Sequence, residues 1–161
     1  MNDQKEQFFV ETVRARRQSL YRIAFHILHA EADAEDAVSA AVENTWRHLG
    51  RIRAKEAVPA YLMRSVVNAT HDELRRRKRL TSLNPVEDIL EAPEGKKGIG
   101  EYVSGLEEKY RLPLLLKYDE ELQEKEIAMI LHIPRGTVSS RISRALKILR
   151  EEMSKEENGH V

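Results

Sequence analysis

The chain has 161 residues, room for one ordinary domain or two small ones, and its composition of 41 % hydrophobic, 34 % charged and 6 % aromatic residues suits a soluble helical protein with modest cores. The absence of cysteine excludes a disulfide framework and a thiolate metal site, the six histidines lack the paired spacing of a zinc site, and no apolar run approaches the roughly 18 residues of a membrane span, so neither metal, cofactor nor membrane insertion is expected. Basic and acidic side chains number 27 each, and a net charge of zero excludes a protein that coats nucleic acid by bulk charge alone.

Met1 to Gln7 is polar and is not a signal peptide, which points to the cytoplasm. Apolar residues then recur at three- and four-residue spacing through Leu20, Ile23, Ala24, Ile27 and Leu28, and again through Val38, Ala41, Val42 and Trp46. This spacing predicts two packed amphipathic helices. A third starts near Pro59, where a first-turn proline costs no hydrogen bond, and runs through Tyr61, Leu62, Val66 and Leu74 into the basic run Arg75, Arg76, Arg77, Lys78 and Arg79. Gly50 to Val58 is expected to be the one substantial loop. The charge is unevenly placed: residues 1–80 carry 15 basic and 11 acidic side chains, residues 101–161 carry 10 and 12.

Residues 81–100 lose the period. Pro85, Pro93, Gly95, Gly98 and Gly100 interrupt any helix, with Glu87, Asp88, Glu91 and Glu94 between them, so the stretch is expected to link two domains, 1–80 and 101–161. The helical pattern resumes from Tyr102 to Leu106 and through Leu112, Leu115, Leu116 and Tyr118. Pro113 has no amide proton, so its helix is expected to begin near Lys109, where that donor is not missed. From Gln123 to Arg150 a short helix, a tight break and a longer helix share an apolar face of Ile127, Leu131, Ile133, Val138, Ile142 and Leu149. Ala128 suits the crossing, His132 the turn at positive φ and Pro134 the second helix start, which together predict a helix-turn-helix. The polar tail after Met153 is expected to fray.

Each motif has a plain reading beside a functional one. Asp33, Glu35 and Asp36 suit a helix N-terminus, where a negative charge gains roughly 0.3–1 kcal/mol, and RRRKR suits a helix end. With His26 the three carboxylates are also the only candidates for a magnesium-dependent nuclease, though no second ligand set accompanies them. A second helix lined with Arg135, Thr137, Ser140, Arg141 and Arg144 is either a solvated bundle helix or a reader of DNA, offering guanidinium forks and hydroxyls to bases and phosphates.

EKEIAMILHIPRGTVSSRISRALKILR resembles the −35-reading domain of the extracytoplasmic-function sigma factors of bacterial RNA polymerase, whose pattern is E-I-A-x-x-L followed by I-P-x-G-T-V-x-S-R-x-x-R-A. DAEDAVSAAVENTW resembles the helix with which these factors dock on core polymerase; Asp33, Glu35, Asp36 and Trp46 match, Ser39 stands where glutamine is usual and Val42 where phenylalanine is usual. PAYLMRSVVNATHDELRRRKR resembles their promoter-melting helix, with Leu62, Asn68, Asp72, Arg75 and Arg76 matching and Tyr61 in place of tryptophan. The resemblance implies an all-α fold of two small helical domains joined by a linker and a non-enzymatic subunit that directs core RNA polymerase to promoter DNA. It implies that Arg135, Thr137, Ser139, Ser140, Arg141 and Arg144 meet the −35 element in the major groove. It assigns Tyr61, Asn68, Asp72, Arg75 and Arg76 to the −10 strand, with Arg51, Arg53 and Lys55 in the loop before them. Asp33, Glu35, Asp36 and Ser39 then contact polymerase, and an anti-sigma factor is the implied regulator. A helix-turn-helix regulator without polymerase and a helical adaptor are the other readings.

Overall fold

The computed structural model describes residues 3–83 and 99–158, all of its regular structure being helical, with no strand among the described residues. The chain divides into two compact units, Met1–Pro85 and Val86–Val161. The prolines, glycines and carboxylates expected to form the linker, Pro85 to Gly98, lie outside the described residues. At its edges the expected linker is helical instead, since one helix continues to Leu83 and another begins at Ile99.

The N-terminal unit is three helices. The first, α1 (Asp3–Leu28), contains neither glycine nor proline, so nothing in its 26 residues interrupts the ladder. It ends where His29 turns left-handed at φ 54°, its amide still donating to the Phe25 carbonyl at 2.7 Å. Helix α2 (Glu31–Arg47) buries Ala34, Ala37, Val38, Ala41 and Thr45; its small side chains allow close packing on α3 (Val58–Leu83), which buries Leu62, Met63, Val66, Val67 and Thr70. Leu20, Ile23, Ala24, Ile27 and Leu28 of α1 complete this core as their spacing predicts. Each fully buried Leu or Ile contributes about 1.5–3 kcal/mol of transfer free energy. The buried hydroxyls of Thr12, Thr45 and Thr70 donate to carbonyls three or four residues earlier, at 2.7, 2.8 and 2.6 Å, so their burial leaves no orphaned donor.

Two features differ from expectation. The Gly50–Val58 stretch is not an open loop: Leu49–Arg51 and Lys55–Ala57 are 3₁₀ turns, and Leu49, Ile52, Val58 and Phe9 form a small core cluster that pins it. Trp46 faces outward at 43 % exposure, its ring 5.5 Å from that of Phe9.

Arg77 decides how the three helices meet. Although it belongs to the basic run, its guanidinium turns inward from α3 and donates at 2.8 Å to the Leu28 carbonyl, one of the last carbonyls of α1. It also pairs with Asp33 in the first turn of α2 and lies 3.5 Å from Glu73. An unsatisfied helix C-terminus and a half-buried carboxylate are thus served by one fork.

The C-terminal unit holds α4 (Ile99–Ser104), α5 (Glu108–Tyr118), α6 (Glu124–Leu131) and α7 (Arg135–Asn158). Its core is Val103, Leu106, Leu112, Leu114, Leu116, Ile127, Ile130, Val138, Ile142 and Ala145. Helix α5 starts within a residue of the expected position, but Pro113 stands in its second turn, where it cannot donate to the Lys109 carbonyl; burial in the core compensates. Buried Arg111 donates to the Leu106 carbonyl at 2.7 Å and the Ser104 carbonyl at 3.4 Å, closing the end of α4, and burial pulls its pKa below the usual arginine value. His132 takes φ 55°, as the turn requires, and Pro134 is the residue before α7, its carbonyl receiving the amides of Thr137 and Val138. The tail does not fray after Met153: α7 continues to Asn158, and Tyr102 of α4 hydrogen-bonds to Glu156.

Replacing Arg77 by Ala is expected to destabilise the N-terminal unit by about 1.5–3 kcal/mol, as for other lost charge-assisted hydrogen bonds, and Arg77→Lys to restore only part of it. Lys78→Ala, on the exposed side of the same run, is expected to stay within about 0.5 kcal/mol; chemical denaturation of the three variants measures this. His132→Gly relieves a left-handed side chain and is expected to stabilise the C-terminal unit by up to about 1 kcal/mol in thermal melts.

Candidate nucleic-acid interface

In the N-terminal unit Tyr61, Asn68, Asp72 and Arg75 fall at helical spacing along one side of α3, opposite the buried Met63, Val66 and Thr70. Asn68, Asp72, Arg75 and Arg76 are exposed, and half-buried Tyr61 leans on the cluster of Phe9, Leu49, Ile52 and Val58. The basic run is not a row of solitary charges. Arg75 pairs with Asp72, and Arg76 grips Glu73 through two bonds at 2.9 and 2.8 Å. Those bonds hold the Glu73 carboxyl below the usual carboxylate range. Glu73 carries no signal in the sequence beyond its three-residue spacing to Arg76.

The carboxylates at the start of α2 divide as well. Asp33 is half-buried against Arg77, whereas Glu35, Asp36 and Ser39 are exposed on the adjoining surface. Asp36 sits at the rim of two clefts. One, between α2 and α3, is floored by Ala37, Ala40 and Ala69 and edged by Asp72, Arg76 and Arg79. The other, between α1 and α2, brings Glu35 and Ser39 near Arg17 and Tyr21. The residue before α2 is Ala30, with no side-chain cap, so the acidic first turn acts through the helix dipole rather than by capping. Among the described residues no three His, Asp or Glu side chains gather as a cation site, His26 included.

Arg51, Arg53 and Lys55 are exposed on the 3₁₀ segment ahead of α3. The segment is braced from a distance: Lys5 in the first turns of α1 donates to the Ile52 carbonyl, and the Lys55 ammonium lies 5.6 Å from the Phe8 ring centroid. No local pattern in the sequence announces this brace, because its two halves are 47 residues apart.

In the C-terminal unit Val138, Ile142 and Ala145 turn α7 into the core, which leaves Arg135, Ser140 and Arg144 exposed and Thr137, Ser139 and Arg141 half-buried on its flanks. A side chain begun at Gly136 would meet nothing within 4 Å, so the protein's own packing does not demand glycine there. Ser140 returns its hydroxyl to the Thr137 carbonyl at 3.1 Å. Ser139 does not join the outward set. Its hydroxyl donates to Glu124 at 2.5 Å, and the same carboxylate accepts from Lys117 at 3.2 Å. The Ser139 bond first, then Lys117, holds the Glu124 carboxyl below its ordinary range. Neither Glu124 nor Lys117 was singled out by the sequence pattern. Ile130 and Ala145 replace Leu131 and Leu149 at the centre of the core, the latter two being half-buried.

Among the described residues no helix is long and apolar enough to cross a membrane. Two family models match the chain: "Sigma-70 region 2" over residues 12–80 and "Sigma-70, region 4" over residues 97–149. The RNA polymerase sigma-E factor of Streptomyces coelicolor is 30 % identical over 152 residues, covering 90 % of this chain and 85 % of that one. SigW of Bacillus subtilis, an ECF RNA polymerase sigma factor, is 27 % identical over 90 % of this chain and 88 % of its own. Among solved structures, the sigma factor RpoE of Bartonella quintana with the anti-sigma factor NepR superposes at a TM-score of 0.76 with 19 % identity, covering 91 % of this chain and 96 % of that one. CnrH in complex with the cytosolic domain of CnrY gives 0.66 with 21 % identity, over 91 % and 88 %.

A carboxyl whose folded pKa is depressed contributes stability above its unfolded pKa and loses it as pH falls through the folded value. Ser139→Ala is therefore expected to lower the thermal midpoint of the C-terminal unit at pH 7. The gap to the parent protein is expected to close as the pH drops below the carboxylate range, which melts between pH 7 and pH 3 register.

Proposed function

We propose, from the premise that this chain belongs to the sigma-70 family of RNA polymerase sigma factors and to its extracytoplasmic-function group, that its N-terminal unit docks on core polymerase and opens the −10 element while its C-terminal unit reads the −35 element. As a member of this family it directs promoter-specific transcription initiation. The observation that supports the division of labour is the coincidence of each family match with one compact unit, each unit carrying an outward helix face of the right chemistry.

On α3 the exposed amide of Asn68 suits hydrogen bonding to a base edge of an opened strand, half-buried Tyr61 offers an aromatic surface for stacking, and Arg75 and Arg76 neutralise phosphates. Asp72 orients Arg75 through their ion pair. On α7 the exposed Arg135 and Arg144, with Arg141 on the flank, carry the guanidinium forks suited to guanine edges and phosphates, and Thr137 and Ser140 supply hydroxyls. Core polymerase meets Glu35, Asp36 and Ser39, with Asp33 behind them in its pair with Arg77. The protein then performs no bond chemistry and needs no cofactor; catalysis belongs to the polymerase, and both work in the cytoplasm at the nucleoid. The Bartonella quintana complex, a sigma factor held by an anti-sigma factor, supports the further reading that an anti-sigma factor controls this chain too.

Adding the purified protein to core RNA polymerase is expected to produce promoter-specific transcripts in vitro. Arg141→Ala is expected to lower initiation at promoters that depend on a −35 element by roughly 5- to 150-fold, from about 1–3 kcal/mol per specific contact, and Asn68→Ala to slow strand opening followed by permanganate reactivity. Retention of core polymerase with no promoter-specific transcript from any genomic promoter overturns the reading.

A further inference from the structure

We infer that Glu124 is a positioning residue for promoter recognition, locking Ser139 of α7 and Lys117 of α5 onto one carboxylate of α6, and that Ser139 serves this latch rather than touching DNA. The inference deepens the proposal that α7 reads the −35 element and rests on it.

Three helices converge on this carboxylate. Lys117 stands in the last turn of α5, Glu124 is the first residue of α6 and Ser139 lies in the second turn of α7. One carboxylate oxygen accepts from Ser139 at 2.5 Å and the other from Lys117 at 3.2 Å. The site is sheltered, with Lys117 and Glu124 side chains 34 % and 24 % exposed, so water competes less for these bonds than at an open surface. Placing Glu124 at the start of α6 also sets its charge against the positive end of that helix, which holds the carboxylate ionised and in place.

The register of α7 makes the latch matter for recognition. Residues two apart on a helix are separated by about 200° around its axis, so Ser139 and Arg141 occupy opposite flanks of the exposed face. A rotation of α7 that brought Ser139 outward toward DNA would carry Arg141 toward the core side. Ser139 on Glu124 and Arg141 available to DNA are therefore one orientation of the helix. The apolar contacts of Val138, Ile142 and Ala145 fix which side is inward, and the short Ser139–Glu124 bond adds a directional restraint on the rotation of the helix.

The test uses holoenzyme assembled from core polymerase and the full chain, on two promoters that share a −10 element and differ only in an intact or scrambled −35 sequence. Ser139→Ala and Glu124→Ala are each expected to lower initiation from the intact promoter by about 10-fold or more, the scale of one lost hydrogen bond to a charged group. The double variant is expected to be no worse than Glu124→Ala alone, because that change already removes the bond to Ser139. Ser139→Thr, which keeps the hydroxyl, is expected to restore initiation, and the order of preference among −35 base variants is expected to stay as in the parent. A variant that merely unfolds loses activity on both promoters and its helical circular dichroism; a mispositioned helix loses only the −35-dependent part. Additive losses, a changed base preference in Ser139→Ala, or an unaffected Glu124→Ala overturns the positioning role while leaving the reader intact. A parent holoenzyme indifferent to scrambling the −35 sequence overturns both.

Discussion

The N-terminal unit depends on a guanidinium that points the wrong way for its sequence. Arg77 sits within five consecutive cations, yet it turns into the bundle, taking the end of α1 and the beginning of α2 in one grip. Both of those ends carry partial charge of the kind a cation and a carboxylate satisfy: a helix C-terminus with unpaired carbonyls, and an N-terminus that favours the Asp33 carboxylate. The α1–α2 connection is only two residues long, His29 and Ala30, with His29 left-handed. A turn so short fixes where α2 departs but not how it leans, and Arg77 supplies the missing restraint from α3. The faces that carry Asn68 and Arg75 on one side and Glu35 and Asp36 on the other are therefore presented in a fixed relation.

The C-terminal unit solves the corresponding problem with the opposite charge. There a carboxylate, Glu124, collects donors from α5 and α7, while buried Arg111 closes the end of α4 on its carbonyls. In both units the apolar core determines which faces are inward, and a polar junction adds a directional restraint between helices. Such junctions contribute modestly to stability, but hydrogen bonds are directional where hydrophobic contacts are not. This division explains how a chain with small aromatic content and alanine-lined contacts holds α3 and α7 each in place within its own unit.

Much of this was legible in advance for a physical reason. Long periodic runs such as Leu20 to Leu28 and Val38 to Val42 bury what their spacing says, and His132 and Pro134 announce the turn between α6 and α7 by backbone preference alone. Short or aperiodic segments were less legible. Leu49 and Ile52 sit in no repeating pattern, so their burial beneath the 3₁₀ turns is a tertiary fact; α6 is eight residues long, too short for its wheel to separate Ile130 from Leu131. For the candidate site residues, the sequence gives type and position but not the partners the fold brings to them. That Arg77 turns to Asp33, Arg76 to Glu73 and Ser139 to Glu124 depends on neighbours brought close by the fold, and a motif that lists cations cannot distinguish one that holds the protein from one that faces solvent.

The ion pairs along α3 change the arithmetic of charge release. Counting Arg75, Arg76 and Arg77 as three cations would suggest three condensed counterions displaced when the helix meets a DNA strand. Arg77 is half-buried and engaged with Leu28 and Asp33, and Arg75 and Arg76 each carry a carboxylate partner on the same helix. Under the proposed role, a phosphate that meets Arg75 or Arg76 also meets Asp72 or Glu73, which offset part of the arginines' charge. If α3 takes the proposed −10 role, these pairs would oppose indiscriminate attachment to duplex DNA and favour a strand already opened and held against the helix.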